Sequence, residues 1–349
     1  MGILGKILKV IANYWSLPAG FLMATILMLV ITPIFKTPTK VSDSSIFILT
    51  KNENARSVAY RLIEAKIIDN PTKFVLLAKL LNYERKLKQG RYNLKQGIDE
   101  LSALKILVKG EQTNTMVTIP EGKTLVQTAE ILEKYGICLK NEFLESAHSE
   151  NFLKSIGIKA KSAEGYLFPD SYEFEIFSDS RMVLNRMVKQ FFSVFNSLLP
   201  ADSLSYSDNR TKNKNLLSHQ ETVILASIVE AEGKLDAERP IVASVFINRL
   251  KRRLPLQSCA TIEYILKERK PKLSIQDLNI DSPYNTYLHL GLPPGPICSP
   301  GRSSLKAVLY PVKTDYLFFV SKGDGSHHFS KTNREHQAAI RSYRNREGN

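Results

Sequence analysis

From Tyr14 to Phe35 the chain carries no charged residue, and this run limits what everything after it can be. About 20 apolar residues in an α-helix cross the roughly 30 Å hydrocarbon core of a bilayer. Tyr14 and Trp15 stand at one edge, where amphipathic rings favour the interface. Pro18 falls in the first turn and Pro33 near the end, where proline costs a helix least. The run reads as a membrane span over 14–35. A cleaved signal peptide is the competing reading. Its apolar core would be shorter and would end on a small-x-small site, which Thr37-Pro38-Thr39 does not supply. Lys6 and Lys9 on one side are matched by Lys36 and Lys40 on the other, so only the free amino terminus tips residues 1–13 towards the cytoplasm. In that orientation the chain beyond a polar stalk at 36–45 is exported.

The charge suits such a position. Lys+Arg number 48 against 34 Asp+Glu, a net +14, which favours an anionic partner such as lipid head groups or a wall polymer. No DNA- or RNA-binding motif accompanies the charge, and the basic residues are not interleaved with aromatics, so nucleic acid is set aside. A plain basic surface near anionic lipid explains the charge equally well. The three cysteines, Cys138, Cys259 and Cys298, show neither CxxC nor metal-ligand spacing. Unpaired thiols are the expectation, with a Cys259–Cys298 disulfide as the alternative.

After the stalk the pattern is α+β and repeats. Ile46-Phe47-Ile48-Leu49 is strand-like and leads into a helical stretch, Ala55 to Ile67, apolar at Val58, Leu62 and Ile63. Met116-Val117-Thr118-Ile119 and Thr124 to Tyr135 repeat that order, with Leu125, Ala129 and Leu132 on one face. Each helix ends in an isoleucine turn (Lys66-Ile67-Ile68, Gly136-Ile137) and a second helix follows, carrying Phe74 or Phe143. Between the copies, Gln89 to Leu94 reads as a strand entered through a glycine turn. Residues 46–160 thus form a two-copy βαα region. It resembles the LysM modules that hold glycan chains, although a plain spacer fits the same pattern. Glu164 to Tyr172 is a turn-rich aromatic segment in which Glu164 and Asp170 are read as structural. Ala201 to Ser218 is a polar insertion of loop character, and 345–349 is a tail.

The residues that suggest chemistry lie further on. Ser218 to Val229 reads as a buried helix, with Ser218 and Glu221 forming a capping box and Gly233 as the stop. Glu230 falls in its last turn, where apolar surroundings and the negative end of the helix dipole both disfavour a charged carboxylate. A carboxyl kept protonated is what glycosidic cleavage needs in order to give a proton to the leaving oxygen. The competing reading is an ion pair with Arg239 or Arg249. Glu232 points to the other side and is the weaker candidate. Gln257, Ser258, Thr261, Asn285 and Thr286 offer hydrogen-bond donors and acceptors, and Tyr264, Tyr284 and Tyr287 offer aromatic faces, as a site for a polar ligand does. Each of these is also at home in a turn or a core. His327, His328 and His336 do not complete a metal site.

These blocks resemble, in order and spacing, the catalytic domain of the endolytic murein transglycosylases, the YceG-like family. They run from Glu164 to Tyr172, through Ala226 to Glu230, Ala243 to Leu250 and Leu256 to Tyr264, to Tyr284 to Tyr287 and Gly291 to Ile297, ending in Tyr316 to Phe329 and Glu335-His336. Cys259-Ala260 departs from the Asp-Pro that many members carry. The resemblance implies a catalytic domain over 161–344, with Glu230 as the catalytic residue. Glu230 would protonate the bridging oxygen between MurNAc and GlcNAc, then take the proton of the MurNAc C6 hydroxyl as it closes a 1,6-anhydro ring. It further implies no cofactor, peptidoglycan strands as substrate, proximity to peptidoglycan synthases, and a single-pass anchor in the cytoplasmic (inner) membrane with the catalytic domain outside. Two readings of another class stay open: a non-catalytic peptidoglycan-binding scaffold and a cytoplasmic small-molecule lyase, the latter opposed by the anchor.

Overall fold

A computed structural model describes residues 44–50, 52–110, 114–199, 217–270 and 272–347. The expected membrane span at 14–35 and most of the polar insertion after Ala201 lie outside these residues. Among the described residues no helix is long and apolar enough to cross a membrane. The mixture of helices and short strands is α+β. It divides into two compact units between Asn114 and Thr115.

The first unit pairs β1 (Ser44–Leu49) with β2 (Gly90–Lys95) antiparallel, Phe47 opposite Tyr92. Alternation sends Phe47 and Leu49 inward and leaves Ile46 and Ile48 exposed. The intervening helices α1 (Ala55–Glu64) and α2 (Pro71–Leu80) start on the side chains of Asn54 and Asn70, which accept from the Ser57 and Lys73 backbone N–H groups. With α3 (Glu100–Lys109) they enclose Val58, Leu62, Phe74, Leu94 and Leu104. The α1 helix ends before the expected Ile67, and the reason is local. Lys66 turns left-handed (φ 58°), its N–H returns to Ile63 O at 2.9 Å, and Ile67 N–H returns to Leu62 O at 2.9 Å. That pair of bonds is a Schellman cap, and Ile67 is buried beneath it.

The second copy repeats the device. Helix α4 (Leu125–Lys134) closes with Gly136 at φ 69°, Gly136 N–H on Glu133 O at 2.8 Å and Ile137 N–H on Leu132 O at 2.9 Å. The isoleucine turns read from the sequence are therefore helix caps in both copies. Phe143 on α5 (Lys140–His148) is fully buried, as Phe74 is on α2. The strand β3 (Thr115–Thr118) finds its partner beyond the short α6 (Glu150–Ser155), in β4 (Ser171–Phe174), with Val117 opposite Tyr172. Copy two consequently shares one core with the C-terminal half, and the division into compact units falls at 114/115.

In that half, α7 (Ser180–Leu198), α8 (His219–Glu232), α9 (Arg239–Lys251) and α12 (Arg302–Leu309) pack together. Helix α8 is its axis. The Ser218/Glu221 capping box opens it, Gly233 N–H closes it on Val229 O, and Thr222 to Val229 are buried without interruption. Helices α10 (Cys259–Leu266) and α11 (Ile275–Leu278), the hairpin of β5 (Phe318–Ser321) and β6 (His327–Ser330), and the last helix α13 (Asn333–Glu347) complete the unit.

Candidate active site

Ser227, in the middle of α8, binds the Gly291–Ile297 loop from inside the core. Its Oγ accepts from Ile297 N–H at 3.0 Å, and Cys298 Sγ donates to its carbonyl at 3.2 Å. This fixes the loop against the helix that ends in two carboxylates. The three cysteines are free, with Cys138 and Cys298 buried and Cys259 exposed.

The two carboxylates meet different surroundings. Glu230 is buried, with Oε1 at 2.9 Å from Arg239 Nη1 and Oε2 accepting from Gly301 N–H at 2.9 Å. Arg239 is also bound by Asp236 and Ser304. Burial pulls the Arg239 guanidinium down, but Glu230 and Asp236 outweigh it and its pKa is raised. The apolar, unpaired setting expected for Glu230 is therefore absent. A guanidinium and a backbone N–H occupy both of its oxygens, and of the two readings the structure places the ion pair with Arg239.

Glu121 joins this cluster. It sits in the turn Pro120-Glu121-Gly122 between β3 and α4, a position the sequence reading passed over. A Cβ added to Gly301 would collide with the Glu121 carboxyl, so glycine is what lets that carboxyl approach the Gly301 backbone beside Glu230. Burial, then the charge of Glu230, pushes the Glu121 carboxyl up.

Glu232 lies on the other face of the helix end and borders a cleft of about 1010 Å³. Its Oε1 accepts from Ser258 Oγ at 2.5 Å and from Ala260 N–H, in the first turn of α10, at 3.3 Å. Its Oε2 makes no hydrogen bond among the described residues. The cleft is bordered further by Arg249, Gln257, Tyr287, Phe318 and His336.

The expected substrate-facing residues separate into three groups. Gln257 and Tyr287 line the cleft, and Ser258 holds Glu232. Thr261, Asn285 and Thr286 are buried with their polar atoms spent on the protein. Thr261 Oγ1 donates to Ser258 O at 2.8 Å, and Asn285 Nδ2 donates to Leu278 O and Ile280 O. Thr286 Oγ1 accepts from Ser258 N–H at 3.1 Å. Tyr264 and Tyr284 pack ring to ring at 5.1 Å, away from the cleft lining. The Tyr264 hydroxyl lies 3.5 Å from Glu164. Glu164 is buried and accepts from Leu125 N–H with both oxygens, at 2.9 and 3.1 Å. Burial nevertheless pushes it up to about 7. The bonds from Leu125 N–H tie it to the start of α4, and Asp170 in the same segment accepts from Gln190 Nε2 at 2.8 Å. His327 Nδ1 pairs with Glu238 at 2.8 Å, and among the described residues no cluster is placed to hold a metal ion.

Fold and site together describe an α+β protein with a helix-end carboxylate, Glu232, bordering a cleft. The profile of the YceG-like family matches residues 47–342, and the chain belongs to that family. An endolytic murein transglycosylase of Bacillus subtilis is 35% identical over 272 residues, covering 73% of this chain and 72% of the relative. One from Streptococcus pneumoniae is 30% identical over 333 residues, covering 85% of this chain and 58% of the relative. The crystal structure of a yceG-like protein from Listeria monocytogenes is similar with a TM-score of 0.57 at 30% identity, covering 84% of this chain and 98% of that one.

Proposed function

We propose that this chain is a lytic transglycosylase that cuts peptidoglycan strands internally at MurNAc–GlcNAc bonds. The observation that carries the site assignment is the state of its two neighbouring carboxylates. An acid–base group must bring a carboxyl oxygen within hydrogen-bond reach of the substrate atom it protonates. Glu232 borders the cleft with Oε2 unpartnered among the described residues, whereas both oxygens of Glu230 are taken. Between the two, the geometry favours Glu232 as the reacting group. Glu230, the residue suggested by the sequence resemblance, then serves with Arg239 to brace the helix end.

The reaction needs one carboxyl and no water. Glu232, protonated, gives its proton to the oxygen leaving MurNAc C1. The C1–O bond breaks, and the MurNAc C6 hydroxyl attacks C1. Its proton returns to Glu232, and the products are a 1,6-anhydroMurNAc end and a free GlcNAc 4-hydroxyl. Ser258 Oγ–H keeps Oε1 fixed through both transfers. Among the described residues Glu232 is the one carboxylate lining the cleft, and Glu263, also pushed up by burial, lies outside that lining, so the cleft borders no second carboxylate of the kind hydrolases use to activate water.

The apolar run at 14–35 supports a single-pass anchor in the cytoplasmic membrane with the catalytic unit outside. The βαα copies support contact with glycan, and the reaction supports work beside peptidoglycan synthases. The deciding experiment compares Glu232→Gln and Glu230→Gln on intact sacculi, with products read by mass spectrometry. We expect Glu232→Gln to lose activity by at least roughly a hundredfold and the parent to release 1,6-anhydroMurNAc ends. An inactive, folded Glu230→Gln beside an active Glu232→Gln would reverse the assignment. Reducing MurNAc ends would mean a hydrolase, and sacculi left intact by the parent would favour a binding scaffold.

A further inference from the structure

Arg249 and Arg239 are both buried in the same unit, at 7% and 6% exposure, yet only Arg239 has carboxylate partners. Arg249 Nε donates to Pro255 O at 2.8 Å, Nη1 to Leu317 O at 2.9 Å and Nη2 to Gln257 Oε1 at 2.5 Å. All three acceptors are neutral. A guanidinium has five N–H donors, so among the described residues two remain unspent. Among the described residues no carboxylate forms an ion pair with it. A buried cation is ordinarily compensated by an anion, because removing it from water is costly.

The surroundings are those of a ligand site rather than a sealed core. Arg249 borders the cleft beside Gln257 and lies over the Phe318 ring at 5.3 Å. His336 stacks on the same ring at 5.1 Å and also borders the cleft. Among the described residues its buried Nδ1 has no hydrogen-bond partner. The cleft therefore holds one candidate acid, Glu232, and a guanidinium that no carboxylate pairs with among the described residues.

We infer that Arg249, assisted by His336, forms an anion subsite that takes a carboxylate carried on the 3-O substituent of MurNAc. This rests on the glycan-cleaving reading and adds what the cleft recognises. Of the two sugars in the strand only MurNAc bears a lactyl group. In a peptide-free strand that group is itself a carboxylate, and in a substituted strand the stem peptide supplies the carboxylates. A planar guanidinium fork with two spare N–H groups matches such a ligand.

The test varies the substrate on the unaltered full-length protein. Soluble GlcNAc–MurNAc oligosaccharides are compared as the free lactyl acid, its methyl ester, the stem-peptide form with free carboxylates, and that form with carboxamides. Neutralisation in one pair is expected to lower kcat/KM by roughly ten- to a hundredfold, mainly through KM, the size of a lost charge-assisted hydrogen bond. The pair that responds identifies the source of the carboxylate. Arg249→Lys is expected to bring the responding pair within a few-fold of each other, and the substrate comparison stands even if that variant fails to fold. Equal kcat/KM within both pairs overturns the subsite and leaves the glycan reading intact. Cleavage of no arm sinks both.

Discussion

Glu164→Gln should change how stability depends on pH. The Glu164 carboxyl is buried against the first N–H group of α4, whose partial positive charge favours the anion. Burial wins, and the group titrates at about 7 in place of 4.5. Between those values the folded protein binds a proton that the unfolded chain has released, so stability falls as pH rises through the window. At about 1.4 kcal/mol per pH unit, the change amounts to about 3 kcal/mol. The contribution is fully favourable below about pH 4.5, where both states are protonated, and fully lost above about pH 7. Glutamine keeps an oxygen for Leu125 N–H and does not titrate. The parent should therefore lose about 3 kcal/mol relative to Glu164→Gln between about pH 4.5 and pH 8. Urea unfolding midpoints across that range, read by circular dichroism, measure it. Parallel curves for parent and variant would refute the reasoning. A slope of opposite sign would mean that the helix terminus outweighs burial.

Arg239→Met should cost about 3–5 kcal/mol by leaving Glu230 buried without its cation, and adding Glu230→Leu should restore most of the loss; thermal unfolding of the single and double variants distinguishes pair-breaking from lost packing. Lys66→Gly should stabilise the first unit by up to about 1 kcal/mol, because Lys66 holds a left-handed conformation that glycine adopts freely, and Gly136→Ala should destabilise the second copy for the same reason. Chemical denaturation of each variant against the parent reads both.

Helix α8 was legible because its signals are local: the Ser218/Glu221 box, an apolar run and Gly233. Which of its terminal carboxylates faces the cleft was not. Glu230 and Glu232 point to opposite sides on any helix, but this helix is apolar all round, and periodicity then gives no inward direction. Both paired isoleucine turns were visible as a repeat, and their chemistry follows from left-handed caps. The β3–β4 pairing was hidden because it joins residues 53 apart, Thr118 with Ser171, across three helices. Glu121 was missed for the same kind of reason, since only the approach of Gly301 gives that turn residue a neighbour. The buried roles of Thr261, Asn285 and Thr286 depend on one another, so no single residue announced them.

The β3–β4 ladder decides where the protein can be cut for laboratory use. A fragment beginning at residue 161 would keep β4 and lose its partner, exposing a bare row of backbone donors and acceptors beside Tyr172 and Phe174. Such an edge recruits any strand it meets, including that of a second copy, and a preparation made this way would tend to precipitate. A soluble fragment that retains the catalytic half should begin at Asn114, with the ladder whole.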